Sequence, residues 1–365
     1  MRFNLWEDCN RVPLTELLSF IVDNRGKTVP TAPSGHKLIA TNCVTNNTLF
    51  PVYEKIRYLS EETYQTWFRA HPIPGDILFV NKGTPGRVCL VPDPVDFCIA
   101  QDMIALRADE SKIYPKYLFA VLRSREIQQQ IYNTNVGDVI PHFKKQFLNQ
   151  LLIPIPERSI QESIGDLYYV LSLKAERNKK INDNLQQQAA ALFSSLYDRT
   201  NTEVRFTDLI QILGGGTPKT GENTYWNGNI AFFTPKDVGT PYTLSTEKTI
   251  TEEGLSHCNS RLYPVNTVFV TARGTVGKVG MSGVPMAMNQ SCYALVGKET
   301  HQLLVYFYTL KTVDRLKHKA SGAVFDAITT RDFESEQIMK LSDDDAKAFL
   351  CIAEPMFQKV LNNCI

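Results

Sequence analysis

Short apolar runs separated by glycine, proline and asparagine dominate both halves of this chain. Ile77 to Val80, Val88 to Val91, Val268 to Val270 and Cys292 to Val296 are bounded by turn residues and read as strands. Between them, Tyr117 to Tyr132 and Gln302 to His318 read as helical stretches. Elements mixed in this way predict an α+β fold rather than a regular βαβ alternation.

The pattern changes at Ile153-Pro154-Ile155-Pro156, where two prolines are expected to stop regular structure and set up a helix start. From Ser159 to Tyr197 there is no proline, and Gly165 is the one glycine. Apolar residues recur at Ile160, Ile164, Leu167 and Leu171, then at Ile181, Leu185 and Leu192, with polar breaks at Lys174, Asn178 and Gln188. That 4-3 spacing predicts a long helix with a coiled-coil-like seam. At ~1.5 Å per residue it would span on the order of 57 Å, more than the width of one domain, so it needs a partner surface. A second, shorter helical pattern from Asp343 to Asn363 carries Phe349, Ile352, Met356, Phe357 and Val360.

The chain also repeats itself. Lys82-Gly83-Thr84-Pro85-Gly86-Arg87-Val88 follows one apolar run, and Arg273-Gly274-Thr275-Val276-Gly277-Lys278-Val279 follows another. Val12 to Leu18 matches Val204 to Ile210, Lys27-Thr28 falls on Lys219-Thr220, and Leu59-Ser60-Glu61-Glu62 matches Ile250-Thr251-Glu252-Glu253. Pro74 matches Pro264, and Gln101 with Ala105-Leu106 matches Gln290 with Ala294-Leu295. Gly137-Asp138-Val139 matches Gly322-Ala323-Val324, each ahead of a phenylalanine, Phe147 and Phe333. Ordered matches over such a length suit duplicated domains and are too long for a solenoid unit.

Length and composition agree with two domains: 365 residues, 43% hydrophobic and 21% charged. The net charge of +1 announces no global field, so any contact with nucleic acid must come from local clusters of Lys and Arg. The eight cysteines are scattered, with no C-x-x-C and no histidine at ligand spacing except the adjacent His257-Cys258, so reduced thiols in a cytoplasm are expected and no metal site. The N-terminus lacks the apolar stretch of a signal peptide, and no run approaches the ~20 residues of a membrane helix, so no membrane is expected.

Gly214 to Thr220 (GGGTPKT), Tyr225 to Val238 (YWNGNIAFFTPKDV), Thr271 to Val279 (TARGTVGKV) and Met288 to Leu295 (MNQSCYAL), in two units each followed by a helix, closely resemble the specificity subunit of Type I restriction-modification systems. The resemblance covers nearly the whole chain, strongly in the second half and through the repeat in the first. It implies two similar target recognition domains in pseudo-two-fold arrangement, separated by long helices that pack as an antiparallel coiled-coil spacer, here with a short second helix. On that pattern residues 1–155 and 199–341 are the recognition domains, 156–198 the central spacer helix and 342–365 the short C-terminal helix. It further implies a non-catalytic subunit that reads a bipartite, asymmetric target in double-stranded DNA and docks two methyltransferase subunits, and restriction subunits through them. No cofactor is expected. A scaffold that kept this fold but lost DNA reading is the alternative.

Glycines in the repeated loop permit positive φ, and each loop is flanked by two cations with a threonine between. Such a loop can set charge and backbone N–H groups on phosphate oxygens, which makes Lys82, Thr84, Arg87, Arg273, Thr275 and Lys278 candidate DNA contacts. Because the halves share it, sequence choice is expected where they differ. In the first half that is the loop from Arg25 to Lys37, with Arg25, Lys27 and Lys37; in the second it is the stretch from Tyr225 to Lys236, with Tyr225, Asn227 and Lys236, and the matched Lys219 and Thr220 are candidate contacts ahead of it. Trp226 and Phe232-Phe233 are expected in the core, and Asn289-Gln290 and Gln101-Asp102 are expected to satisfy backbone groups.

Enzymatic readings fare less well. GGGTPKT has Pro218 where a phosphate loop requires glycine before the lysine, and Lys278 is not followed by Ser or Thr. Asp93 with Glu110 and Lys112 fits the loose pattern of a metal-dependent nuclease, but the second half has Lys298-Glu299-Thr300 in that region and no matching set.

Overall fold

The computed structural model describes residues 9–24, 26–134, 141–239, 241–319 and 327–364. Arg25 and the matched segments 137–139 and 322–324 lie outside the described residues. Two compact units divide the chain, Met1–Arg177 and Asn178–Ile365.

In the first unit the strands are β1 (Asn10–Pro13), β2 (Leu18–Val22), β3 (His36–Ile39), β4 (Arg57–Leu59), β5 (Ile77–Val80), β6 (Val88–Leu90), β7 (Phe97–Ile99), β8 (Met103–Ala108) and β9 (Leu152–Ile155). Helices α1 (Glu61–Thr66), α2 (Pro115–Leu122), α3 (Arg125–Asn133) and α4 (Arg158–Tyr197) complete it, with α4 running on into the second unit. Strands β2-β8-β5-β6 form an antiparallel sheet in that order. A smaller sheet, β4-β3-β7, has β3 antiparallel to β4 and parallel to β7.

The second unit contains β10 (Glu203–Arg205), β11 (Ile210–Gly214), β12 (Trp226–Phe233), β13 (Tyr242–Thr243), β14 (Lys248–Ile250), β15 (Val268–Thr271), β16 (Val279–Ser282), β17 (Met286–Met288), β18 (Cys292–Gly297) and β19 (Gln337–Met339). Its helices are α5 (Phe206–Leu209), α6 (Glu252–Ser256), α7 (Gln302–Lys319), α8 (Thr330–Glu334) and α9 (Asp343–Cys364). The order β11-β18-β15-β16 repeats the first unit's sheet, with β13 added parallel to β16. Likewise β14-β12-β17 repeats β4-β3-β7, down to the parallel pair. The duplication seen in the sequence is therefore a duplication of topology.

Burial on both faces explains the unbroken apolar runs. Ile77 and Phe79 of β5 face one core with Tyr117, Phe119 and Ile127, while Leu78 and Val80 face another with Ile39, Phe97 and Ile99. In the second unit Val268 and Val270 face the helical side, and Phe269 the side of Phe233 and Met288. Such strands read as continuous hydrophobic stretches, as the sequence predicts.

Of the two prolines expected to stop regular structure, Pro156 does so, between the end of β9 and the start of α4, but Pro154 does not. Pro154 sits inside β9, opposite Arg11 of β1, in a two-stranded antiparallel ribbon. Each strand of such a ribbon is an edge, where a residue without N–H is tolerated. Strands β10 and β19 form the equivalent ribbon in the second unit. The single stretch expected from Tyr117 to Tyr132 is also broken, because Ser124 caps a new helix by accepting from the Ile127 amide at 3.3 Å.

Helix α4 has 40 residues, or ~60 Å of rise. Ile164, Tyr168, Tyr169 and Leu173 pack on the first unit's core, and Ala189, Phe193, Leu196 and Tyr197 enter the second unit's. The expected single seam is thus split between faces, since Leu167, Val170 and Leu171 stay exposed. Helix α9 packs antiparallel on the later turns of α4: the Asn363 amide donates to Asn182 at 2.7 Å, while Phe349 meets Phe193 with centroids 5.5 Å apart. Ile352, counted in the apolar pattern of this second helix, is exposed.

Candidate nucleic-acid interface

The repeated loop joins β5 to β6 in the first unit and β15 to β16 in the second. Its backbone closes the same way twice: Gly86 donates to the Val80 carbonyl (3.0 Å), and Gly277 to that of Thr271 (2.8 Å). Gly83, Gly86, Gly274 and Gly277 all have φ between 73° and 86°, which only glycine adopts without strain. A Cβ on Gly277 would also meet the Lys317 side chain at 2.6 Å and Val313 at 3.1 Å. Each loop is tied to a later segment, through Gly83 N–H to the Pro141 carbonyl (2.9 Å) and Ile328 N–H to that of Ala272 (2.9 Å). Its invariant geometry is therefore partly scaffold.

Exposure of its cations differs between units. Lys82, Thr84 and Arg87 are half-buried, whereas Arg273, Thr275 and Lys278 are exposed. In the second unit Thr275 and Lys278 line an open cleft of about 640 Å³ together with Lys236, Glu247, Lys248 and Asn289. The cleft is held together by Asp237, whose carboxylate accepts from the Thr234 amide and hydroxyl and from the Glu247 amide, at 2.8, 2.6 and 2.8 Å. The Thr275 hydroxyl donates to the Pro235 carbonyl at 3.3 Å. Three lysines on one concave surface can hold a phosphate-bearing chain.

The other expected contacts do not share that cleft's lining. Lys219 and Thr220 are exposed, and Asn227 projects with φ 61° from a bulge in β12 that Gly228 permits, because a Cβ there would lie 2.5 Å from the Ile250 carbonyl oxygen. Tyr225 stacks on His257 at 4.9 Å, and Trp226 packs edge-on against Phe232 but is only half-buried, with the Lys248 ammonium 5.6 Å from its ring centre. In the first unit Lys27 is exposed, but Lys37 is paired with Asp96 and lies 4.5 Å from the Tyr53 ring centre. Burial raises the Asp96 carboxyl, yet hydrogen bonds from Lys37 and Tyr53 outweigh it and hold the group below its ordinary value. The positive charge of Lys37 is thereby answered within the protein.

Gln101 meets Thr28 at 3.5 Å, and Gln290 meets Thr217, so the structural counterpart of Thr28 is Thr217 rather than Thr220. Lys112, counted in the nuclease pattern, pairs with Asp109 at 3.3 Å and donates to the Glu16 carbonyl at 2.9 Å. Among the described residues no three His, Cys, Asp or Glu side chains gather as metal ligands, and no helix is long and apolar enough to cross a membrane. Sequence reading missed Lys248 and Glu247. Lys248 stands two residues ahead of the matched segment at Ile250, just as Arg57 stands two ahead of Leu59.

The family model for the Type I restriction modification DNA specificity domain matches residues 23–187 and 199–340. The MjaIX specificity subunit of Methanocaldococcus jannaschii is 31% identical over 127 residues, 33% of this chain and 29% of that protein. A Type I restriction enzyme specificity subunit of Escherichia coli is 31% identical over 205 residues, 50% of each chain. The chain thus spans half or less of the length of these two curated relatives. The crystal structure of a Type I restriction-modification S subunit from M. genitalium shares the fold, with a TM-score of 0.65 at 15% identity over 100% of this chain and 93% of that one. With both halves matched to that one domain, the chain belongs to the Type I restriction-modification specificity subunit family.

Proposed function

We propose that this protein is a non-catalytic DNA-recognition subunit, acting in the cytoplasm, that reads a bipartite, asymmetric duplex target with residues 1–155 and 199–341. The observation that carries the reading is the lysine-lined cleft of the second unit, built around a loop that the first unit repeats. Two units of one topology but different exposed side chains suit two different half-sites. Arg273, Thr275, Lys278 and Lys236 serve the second half-site, with Lys219, Thr220, Tyr225 and Asn227 beside them; Lys27, Lys82, Thr84 and Arg87 serve the first. Exposed Leu167, Val170 and Leu171 on α4 offer an apolar surface for docking a methyltransferase subunit, through which restriction subunits join.

The test is to express the chain with its methyltransferase partner and map the methylated motif across the host genome. Two short specified blocks at a fixed separation are expected. A continuous motif, or none, refutes the reading. Weak, sequence-independent duplex binding unaffected by Arg273→Ala with Lys278→Ala would favour a protein scaffold of this fold instead.

A further inference from the structure

One carboxylate in the second unit's cleft has acceptor capacity to spare. Asp237 already accepts from three donors, but among the described residues the Glu247 side chain meets only the Lys236 ammonium, at 3.7 Å. Both side chains are largely exposed, 59% and 80%, and an ion pair that long and that wet adds little to stability. Stability therefore does not account for a carboxylate among Lys236, Lys248 and Lys278. On a surface that meets phosphates, a carboxylate that accepts no hydrogen bond there and offsets the charge of Lys236 weakens association with every sequence. It helps only where the nucleic acid presents a donor, and in a duplex groove the donors are base amines.

Strand register singles the position out further. Phe232 faces Lys248 across β12 and β14, and Leu38 faces Arg57 across β3 and β4, so a cation recurs at equivalent places. The residue before it does not recur, being Glu247 in one unit and Ile56 in the other. A shared charge suits the backbone that all DNA has; an unshared one suits the choice between sequences.

Building on the DNA-recognition reading above, we propose that Glu247 is a specificity-determining residue of the second unit, accepting a hydrogen bond from the N4 amine of a cytosine in the major groove. Guanine and thymine present acceptors there, and the adenine amine lies beside the N7 acceptor, which repels a carboxylate. Cytosine alone presents a donor and no acceptor.

The experiment selects sequences from a pool of duplexes with randomised positions, using the full native chain, Glu247→Ala and Glu247→Gln at one salt concentration. The native chain is expected to select cytosine at one position. Glu247→Ala should lose roughly tenfold or more of that preference, with the other positions and the salt slope unchanged. Glu247→Gln should move the preference toward adenine, since an amide can both accept from N6 and donate to N7. If Glu247→Ala instead binds all sequences more tightly while every native preference persists, the assignment is overturned and the DNA reading stands. A native chain that selects nothing overturns both.

Discussion

Replacing Gly165 with alanine sets two effects of opposite sign against each other in the first turns of α4. Alanine favours a helix interior over glycine by about 1 kcal/mol. The new Cβ, however, would lie 2.6 Å from the Tyr117 amide nitrogen, 2.9 Å from the Lys116 carbonyl carbon and 3.0 Å from the Tyr114 ring. Two of those neighbours are backbone, which cannot rotate away, so α4 and the start of α2 must separate by several tenths of an ångström. Overpacking of that kind costs about 1–3 kcal/mol, and the backbone contact places this case in the upper part. A net loss of about 1–2 kcal/mol follows, or a few degrees in the melting temperature of a unit this size. Urea unfolding measures the loss, and amide exchange over Tyr114–Leu122 locates it. Gly165→Ala raising stability by the ~1 kcal/mol that propensity alone supplies would refute the close-approach argument.

Lys278→Ala should weaken binding to all duplexes alike and lower the salt slope by about 0.9, read from binding titrations across salt concentrations. Lys37→Met should leave that slope intact, because Asp96 already answers its charge. The same change should flatten the acid limb of stability: a carboxyl held below its unfolded value adds stability above about pH 4 that disappears as pH falls through the lowered value, and Lys37 helps hold it there. Phe193→Ala should cost about 3–5 kcal/mol in chemical unfolding, since that ring meets Tyr197, Phe307, Tyr308 and Phe349 at 5.1–5.6 Å.

Much of this was legible because duplication leaves two copies of each local signal. Strands buried on both faces announce themselves as apolar runs, and Gly83 with Gly86 finds its echo in Gly274 with Gly277. What escaped depends on contacts between distant positions. Nothing local to Lys37 reveals that Asp96 answers it. Ile164 and Leu167 share one sequence period, but burial takes the first and leaves the second exposed. The apolar spacing on either side of Ser124 concealed its role as a cap, which only the Ile127 amide reveals. Lys248 fell just ahead of a matched segment, where its counterpart Arg57 differs in residue type, and Glu247 has only Ile56 opposite it in the repeat.

The paired ribbons have a further consequence for how such a chain can change. Because β1 is zipped to β9, and β10 to β19, each unit's sheets are entered and left through adjacent strands. The ribbon gathers the two chain crossings of each unit at one place, while α4 packs on the core beyond it. A body with different exposed side chains could enter and leave through the same two strands, provided it kept the apolar surface that seats Ile164, Tyr168, Tyr169 and Leu173 of α4 in the first unit, or Phe193 and Tyr197 in the second.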